Sequence, residues 1–133
     1  MKRVVRWTMA SLLTVCVLAG CKEPKPEPVP LTKEQVILRD APPERVFKGM
    51  LGGESVHLVT DNCVVYLIKD NGEWENVLEP EFYPSFMSCA RESLEVDGDK
   101  VIATLGRIAL GAGGCCSSGG TYRTTDGRNW KKF

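Results

Sequence analysis

Among 133 residues there is one histidine, His57, and the chain contains no G-x-S-x-G, no C-x-x-C and no G-x-x-x-x-G-K-[ST]. Without the first there is no sharp turn to present a serine nucleophile. Without the second there is no thioredoxin-like redox pair, and without the third the Gly-rich stretch of the chain cannot close on a phosphate as a P-loop does. His57 itself lies in the alternating run ESVHLV, where a histidine is more often a half-buried strand residue than a general base. The carboxylates gather in turns, as solvated faces do. The expectation is a protein with no catalytic residues, no cofactor and no bound metal. Its apolar runs stop short of the roughly 20 residues that span a bilayer. Its basic residues form no cluster along the sequence, which argues against nucleic acid or an anionic lipid surface as a partner.

What is present begins with Lys2, Arg3 and Arg6, an apolar run over residues 7–18, and Leu18-Ala19-Gly20-Cys21. This is the layout of a secretory signal peptide. Its end resembles the lipobox of bacterial lipoproteins, which implies cleavage after Gly20 and lipidation of Cys21. Leu13-Thr14-Val15-Cys16 is a poorer match, because Val15 is β-branched where the cleavage position wants a small residue. Loss of residues 1–20 removes three of the seventeen basic residues and none of the seventeen acidic ones, leaving a net charge of −3. Membrane attachment is then expected through the acyl chains alone. Lys22 following Cys21 points to the periplasmic side of the outer membrane, since aspartate at that position is the inner-membrane retention signal in enteric-type bacteria.

Residues 21–43 read as a tether. Proline stands at every second position from Pro24 to Pro30, which excludes helix and central strand and favours polyproline II at about 3.1 Å per residue. Residues 31–40 offer a short helical turn, and Pro42-Pro43 closes the approach. Residues 44–133 are enough for one small core. Apolar alternation over 44–50, 55–60, 63–69, 94–96, 101–105 and 121–125 reads as strands, with Asp-Asn-Gly or Asp-Gly turns at Asp70-Asn71-Gly72, Asp97-Gly98 and Asp126-Gly127. The expected fold is all-β and disulfide-stapled: a small antiparallel domain of two sheets, or a fragment of a propeller, because a closed propeller needs at least four blades of about forty residues.

Tyr66 to Trp74 reads YLIKDNGEW and Tyr122 to Trp130 reads YRTTDGRNW, which implies two similar hairpins 56 positions apart. The second, through Thr124-Thr125-Asp126-Gly127-Arg128-Asn129-Trp130, resembles the Asp-box of sialidase-type propellers. That resemblance implies that Asp126 caps the turn, that Gly127 sits in it and that Trp130 packs beneath it.

Beside Cys21, four cysteines follow the tether: Cys63, Cys89, Cys115 and Cys116. In an exported domain such a set usually forms disulfides. Three pairings exist, and the two in which Cys115 and Cys116 reach separately to Cys63 and Cys89 are expected, the surrounding glycines and serines allowing close approach. A soft-metal or redox site built on these cysteines and His57 is the alternative, but it lacks the familiar ligand spacings.

The stretch NGEWENVLEPEFYPSF over residues 71–86 mixes aromatics with glutamates. Trp74, Phe82 and Tyr83 are candidate anchors for a protein partner, with Glu79 and Glu81 setting charge complementarity. The same rings could equally pin the loop to its own core.

The succession of lipobox, Pro-rich tether, Arg45-Val46-Phe47, the strand His57-Leu58-Val59-Thr60-Asp61-Asn62-Cys63, the run Val65-Tyr66-Leu67-Ile68-Lys69-Asp70, and a late Gly-Gly-Cys before Tyr122-Arg123-Thr124-Thr125-Asp126-Gly127 resembles the small lipoproteins that act as immunity proteins to phospholipase effectors of type VI secretion systems. The resemblance implies a non-enzymatic toxin inhibitor whose partner is a cognate secreted lipase. Two other classes fit the same features: a structural or assembly lipoprotein that binds an envelope component, and a periplasmic metal-binding protein. Neither the oligomeric state nor the identity of the toxin is legible in the sequence.

Overall fold

A computed structural model describes residues 25–82, 86–109, 111 and 116–133. The chain divides into two compact units, Met1–Pro30 and Leu31–Phe133, and the second holds every helix and strand of the described residues. It opens with helix α1, Lys33–Asp40. Thr32 and Gln35 form a reciprocal capping box: the Thr32 hydroxyl accepts from the Gln35 N–H at 3.3 Å, and the Gln35 side-chain oxygen accepts from the Thr32 N–H at 3.0 Å. Pro42 and Pro43 cannot continue a helix, and the chain passes through a single 3₁₀ turn, Pro43–Arg45, into the first strand.

Eight strands come after it: β1 Val46–Leu51, β2 Glu54–Asp61, β3 Val64–Ile68, β4 Trp74–Leu78, β5 Met87–Asp97, β6 Lys100–Ala109, β7 Ser118–Thr124 and β8 Lys131–Lys132. They form two four-stranded antiparallel meanders, β1-β2-β3-β4 and β5-β6-β7-β8. The fold is all-β, as its alternating pattern and turn residues imply. The β2–β3 turn is tight, with Asn62 at φ 52° and Cys63 at φ 59°. Two successive positive φ angles match the right-handed twist of a hairpin.

The two sheets share one core. Leu51, Val56, Leu58, Val65 and Leu67 from the first meet Leu94, Val101, Ala103, Leu105 and Tyr122 from the second, with Phe47, Val77, Leu78 and Trp130 packed at the margin. Strand alternation puts the neighbours of these residues on the outer faces. Tyr66, between Val65 and Leu67, therefore turns away from the second sheet, as does Trp74, the register partner of Ile68. The two rings meet at 5.4 Å.

The internal echo is a structural repeat of the last hairpin in each sheet. Tyr66 pairs with Asn76 and Leu67 with Glu75 in the first; Tyr122 pairs with Lys132 and Arg123 with Lys131 in the second. All four positions advance by the same 56 residues. The faces do not mirror each other: Tyr66 and Trp74 look outward, whereas Tyr122 and Trp130 look into the core. The sheets thus stack front to back, as consecutive blades do.

Candidate functional site

The end of the domain where the β2–β3 turn meets β5 is held by covalent and ionic links between the sheets. Cys63, fully buried in that turn, is bonded to Cys89 on β5, with Cα atoms 5.3 Å apart. This overturns the expected pairings of Cys63 and Cys89 with Cys115 and Cys116. The reason is the length of β5, which begins at Met87 rather than near Leu94 and carries Cys89 opposite Arg107 on the face turned to the first sheet. Cys116 is also disulfide-bonded; Cys115 and Cys21 lie outside the described residues. Beside the bridge, the Glu92 carboxylate, its side chain only 4% exposed, accepts from the Cys63 N–H at 2.8 Å and pairs with Arg45 at 2.7 Å. Cys63, Cys89 and Glu92 bring potential ligand atoms together, but the two sulfurs are bonded to each other and offer no thiolate to a metal.

At the β7–β8 turn, Asp126 accepts hydrogen bonds from the Arg128 N–H at 2.9 Å, the Asn129 N–H at 2.8 Å and the Asn129 side-chain amide at 2.7 Å. The Thr124 hydroxyl donates to it at 3.0 Å and itself accepts from the Gly127 N–H at 2.9 Å. These donors, the Asn129 side chain first, hold the Asp126 carboxyl well below the usual carboxylate range. A Cβ on Gly127 would meet a Val56 methyl at 2.7 Å, so the turn needs glycine both for its φ of 76° and for its contact with the first sheet. Trp130 packs against the margin of the core. The turn is a structural joint whose polar groups face one another.

The acidic-aromatic segment crosses from the first sheet to the second after β4. Its start is anchored: Glu79 pairs with Arg107 at 3.1 Å and accepts from the Asn76 amide at 3.1 Å, and Pro80 is buried. Beyond the anchor the surface changes character. Glu81 is exposed, Phe82 is 82% exposed and Phe86, just before β5, is 87% exposed. Tyr83 lies outside the described residues. Of the partner residues expected from sequence, Glu79, Glu81 and Phe82 share this segment, while Trp74 is half-buried on the outer face of the first sheet against Tyr66. Phe86 joins the group from its exposure alone.

His57 is half-buried on β2 opposite Lys48; burial first and the lysine second lower its pKa. Nucleophile and carboxylate partners for it are lacking among the described hydrogen bonds. One grouping is invisible along the sequence. Lys100, Arg123 and Lys131, which read there as scattered surface charges, line a single depression. Only the register of β6, β7 and β8 brings them together, and no local sequence pattern signals it.

Comparison with protein-family models, with curated proteins and with solved structures finds no match to this chain.

Proposed function

We propose that the protein is a periplasm-facing, outer-membrane lipoprotein, anchored through Cys21, that binds and neutralises a lipase effector delivered by type VI secretion. The observation that carries the binding half is the pair Phe82 and Phe86, two rings more than four-fifths exposed just after the Glu79–Arg107 ion pair. Apolar side chains left in water forgo about 1.5–3 kcal/mol each that burial would supply. Glu79–Arg107 and buried Pro80 fix the chain just before Phe82, which lowers the ordering cost of that ring on association. Glu81 supplies a charge beside them, while Glu79 is committed to Arg107 and Trp74 to Tyr66, so these two contribute less than Phe82. The identity of the partner rests on the resemblance of the chain to immunity lipoproteins. Inhibition then needs no chemistry from this chain: it covers the lipase before phospholipid reaches it, and an anchor concentrates the inhibitor at the surface under attack.

The test is genetic. Cells lacking the gene are expected to lose viability against a sister strain delivering the cognate effector, and the wild-type gene to restore it. Complementation with Phe82→Ala/Phe86→Ala is expected to fail, with about 2 kcal/mol or more of binding lost. A deletion strain no more sensitive than wild type sinks the immunity reading. A double variant that protects fully sinks the loop assignment.

A further inference from the structure

We propose that the outer face of the second sheet carries an anion site, formed by Lys100, Arg123 and Lys131, that takes a phosphate group. The three cations line a depression of about 470 Å³ together with Thr124, Thr125 and Asn129. Their convergence follows from register. Arg123 lies directly opposite Lys131 across β7–β8 and opposite Ile102 across β6–β7, and Lys100 precedes the Val101–Thr124 pair. All three are on the face that alternation turns away from the core.

Like charges directly opposite each other weaken a sheet, and Arg123 against Lys131 is such a pair. Nothing of opposite sign relieves it: among the described residues neither forms an ion pair. Asp126 is close along the chain but its oxygens are taken up by the turn's own donors. Lys100 has two carboxylates beside it, Asp97 directly opposite across β5–β6 and Asp99 at 3.6 Å from an 83% exposed position, the latter a contact of little strength in water; the uncompensated pair is Arg123 and Lys131. Glu95 shares the face but stands beyond Ile102, two strands or about 10 Å from Arg123.

The pocket sits in a wider asymmetry. Residues 100–133 hold six lysines and arginines against one carboxylate, whereas residues 69–99 hold nine carboxylates against two cations. The Arg123 guanidinium carbon also lies 5.2 Å from the centroid of the Phe133 ring, a cation–π contact, and a guanidinium is the side chain best matched to bidentate contact with oxyanions. Two ammonium groups and the exposed Thr125 hydroxyl complete a donor set suited to an oxyanion such as phosphate rather than to an apolar ligand.

The chemistry is that of a phosphate ester, and it has two sources in an envelope: a lipid headgroup and a soluble phosphate compound. The experiment uses the mature chain, residues 21–133, bearing Cys21→Ser, so that neither an acyl chain nor the apolar run over residues 7–18 enters a bilayer. Inorganic phosphate is titrated at low salt by calorimetry, and vesicles of phosphatidylcholine with and without phosphatidylglycerol are tested by sedimentation. Phosphate is expected to bind, at least about tenfold more weakly to Arg123→Gln/Lys131→Gln, whose melting temperature does not fall. A control pair, Lys33→Gln/Lys48→Gln, lies off the pocket and leaves binding unchanged. Binding to phosphatidylglycerol vesicles that phosphate competes away assigns the headgroup; phosphate binding without vesicle binding assigns a soluble ester. The proposal is overturned if wild-type protein binds neither, if the pocket variant binds as wild type does, or if the control pair weakens binding as much as the pocket pair.

Discussion

Two carboxylates illustrate how single residues hold this domain. Glu92 is nearly buried between the sheets and is matched on both oxygens, to the Cys63 N–H and to Arg45. Glu92→Ala leaves that N–H unpaired inside the protein and is expected to cost about 2 kcal/mol, read as a shift in the urea midpoint at constant slope. Asp126 is more exposed but takes four donors. Its folded-state pKa is depressed, so the stability it contributes is present above the ordinary aspartate value of about 3.9. That stability is lost as pH falls below this value through the folded pKa. Asp126→Ala is expected to lose about 1–3 kcal/mol at neutral pH, and to show a shallower decline between about pH 4 and pH 2. Equal acid limbs for mutant and wild type would show that the carboxylate does not carry the turn.

At the scale of strands and turns, the Cys63–Cys89 bridge joins the tip of one hairpin to the first strand of the next sheet across 26 residues. Chain entropy assigns such a loop about 3.5 kcal/mol. Cys63→Ala/Cys89→Ala is therefore expected to fold but to melt earlier, whereas an unchanged midpoint would make the bridge incidental. The pairing itself was not legible. The strands expected at 44–50, 55–60, 63–69, 101–105 and 121–125 announce themselves by alternation and by their turn residues and fall on β1, β2, β3, β6 and the second half of β7; Ser118-Gly119-Gly120 read as loop. The first half of β5, Met87 to Ser93, is polar on one side and carries a register shift between Cys89 and Arg91, so it reads as loop. The same holds for β4, whose glutamate and asparagine mask Trp74–Leu78, and for β8, which has only two residues. With β5 starting near Leu94, Cys89 would have no reason to face Cys63. The echo of Tyr66 and Trp74 in Tyr122 and Trp130 did predict two like hairpins, but not that one aromatic pair faces out and the other in, because orientation depends on which side each sheet buries.

For the molecule as a whole, two surfaces of different character arise from one topology. The crossover between the sheets presents Phe82, Phe86 and Glu81; the outer face of the second sheet presents Lys100, Arg123 and Lys131. The aromatic surface was partly visible in sequence because its residues are contiguous. The cationic one was not, because it is assembled from three strands. Under the proposed function the aromatic surface inhibits by occupancy, which sets the stoichiometry. The most direct measurement is titration of the purified cognate lipase with this protein while phospholipid hydrolysis is followed. Activity is expected to fall to near zero at an equimolar ratio, with Phe82→Ala/Phe86→Ala requiring a large excess although its circular dichroism and melting are unchanged. Undiminished hydrolysis in the presence of excess folded wild-type protein would rule out inhibition by occupancy.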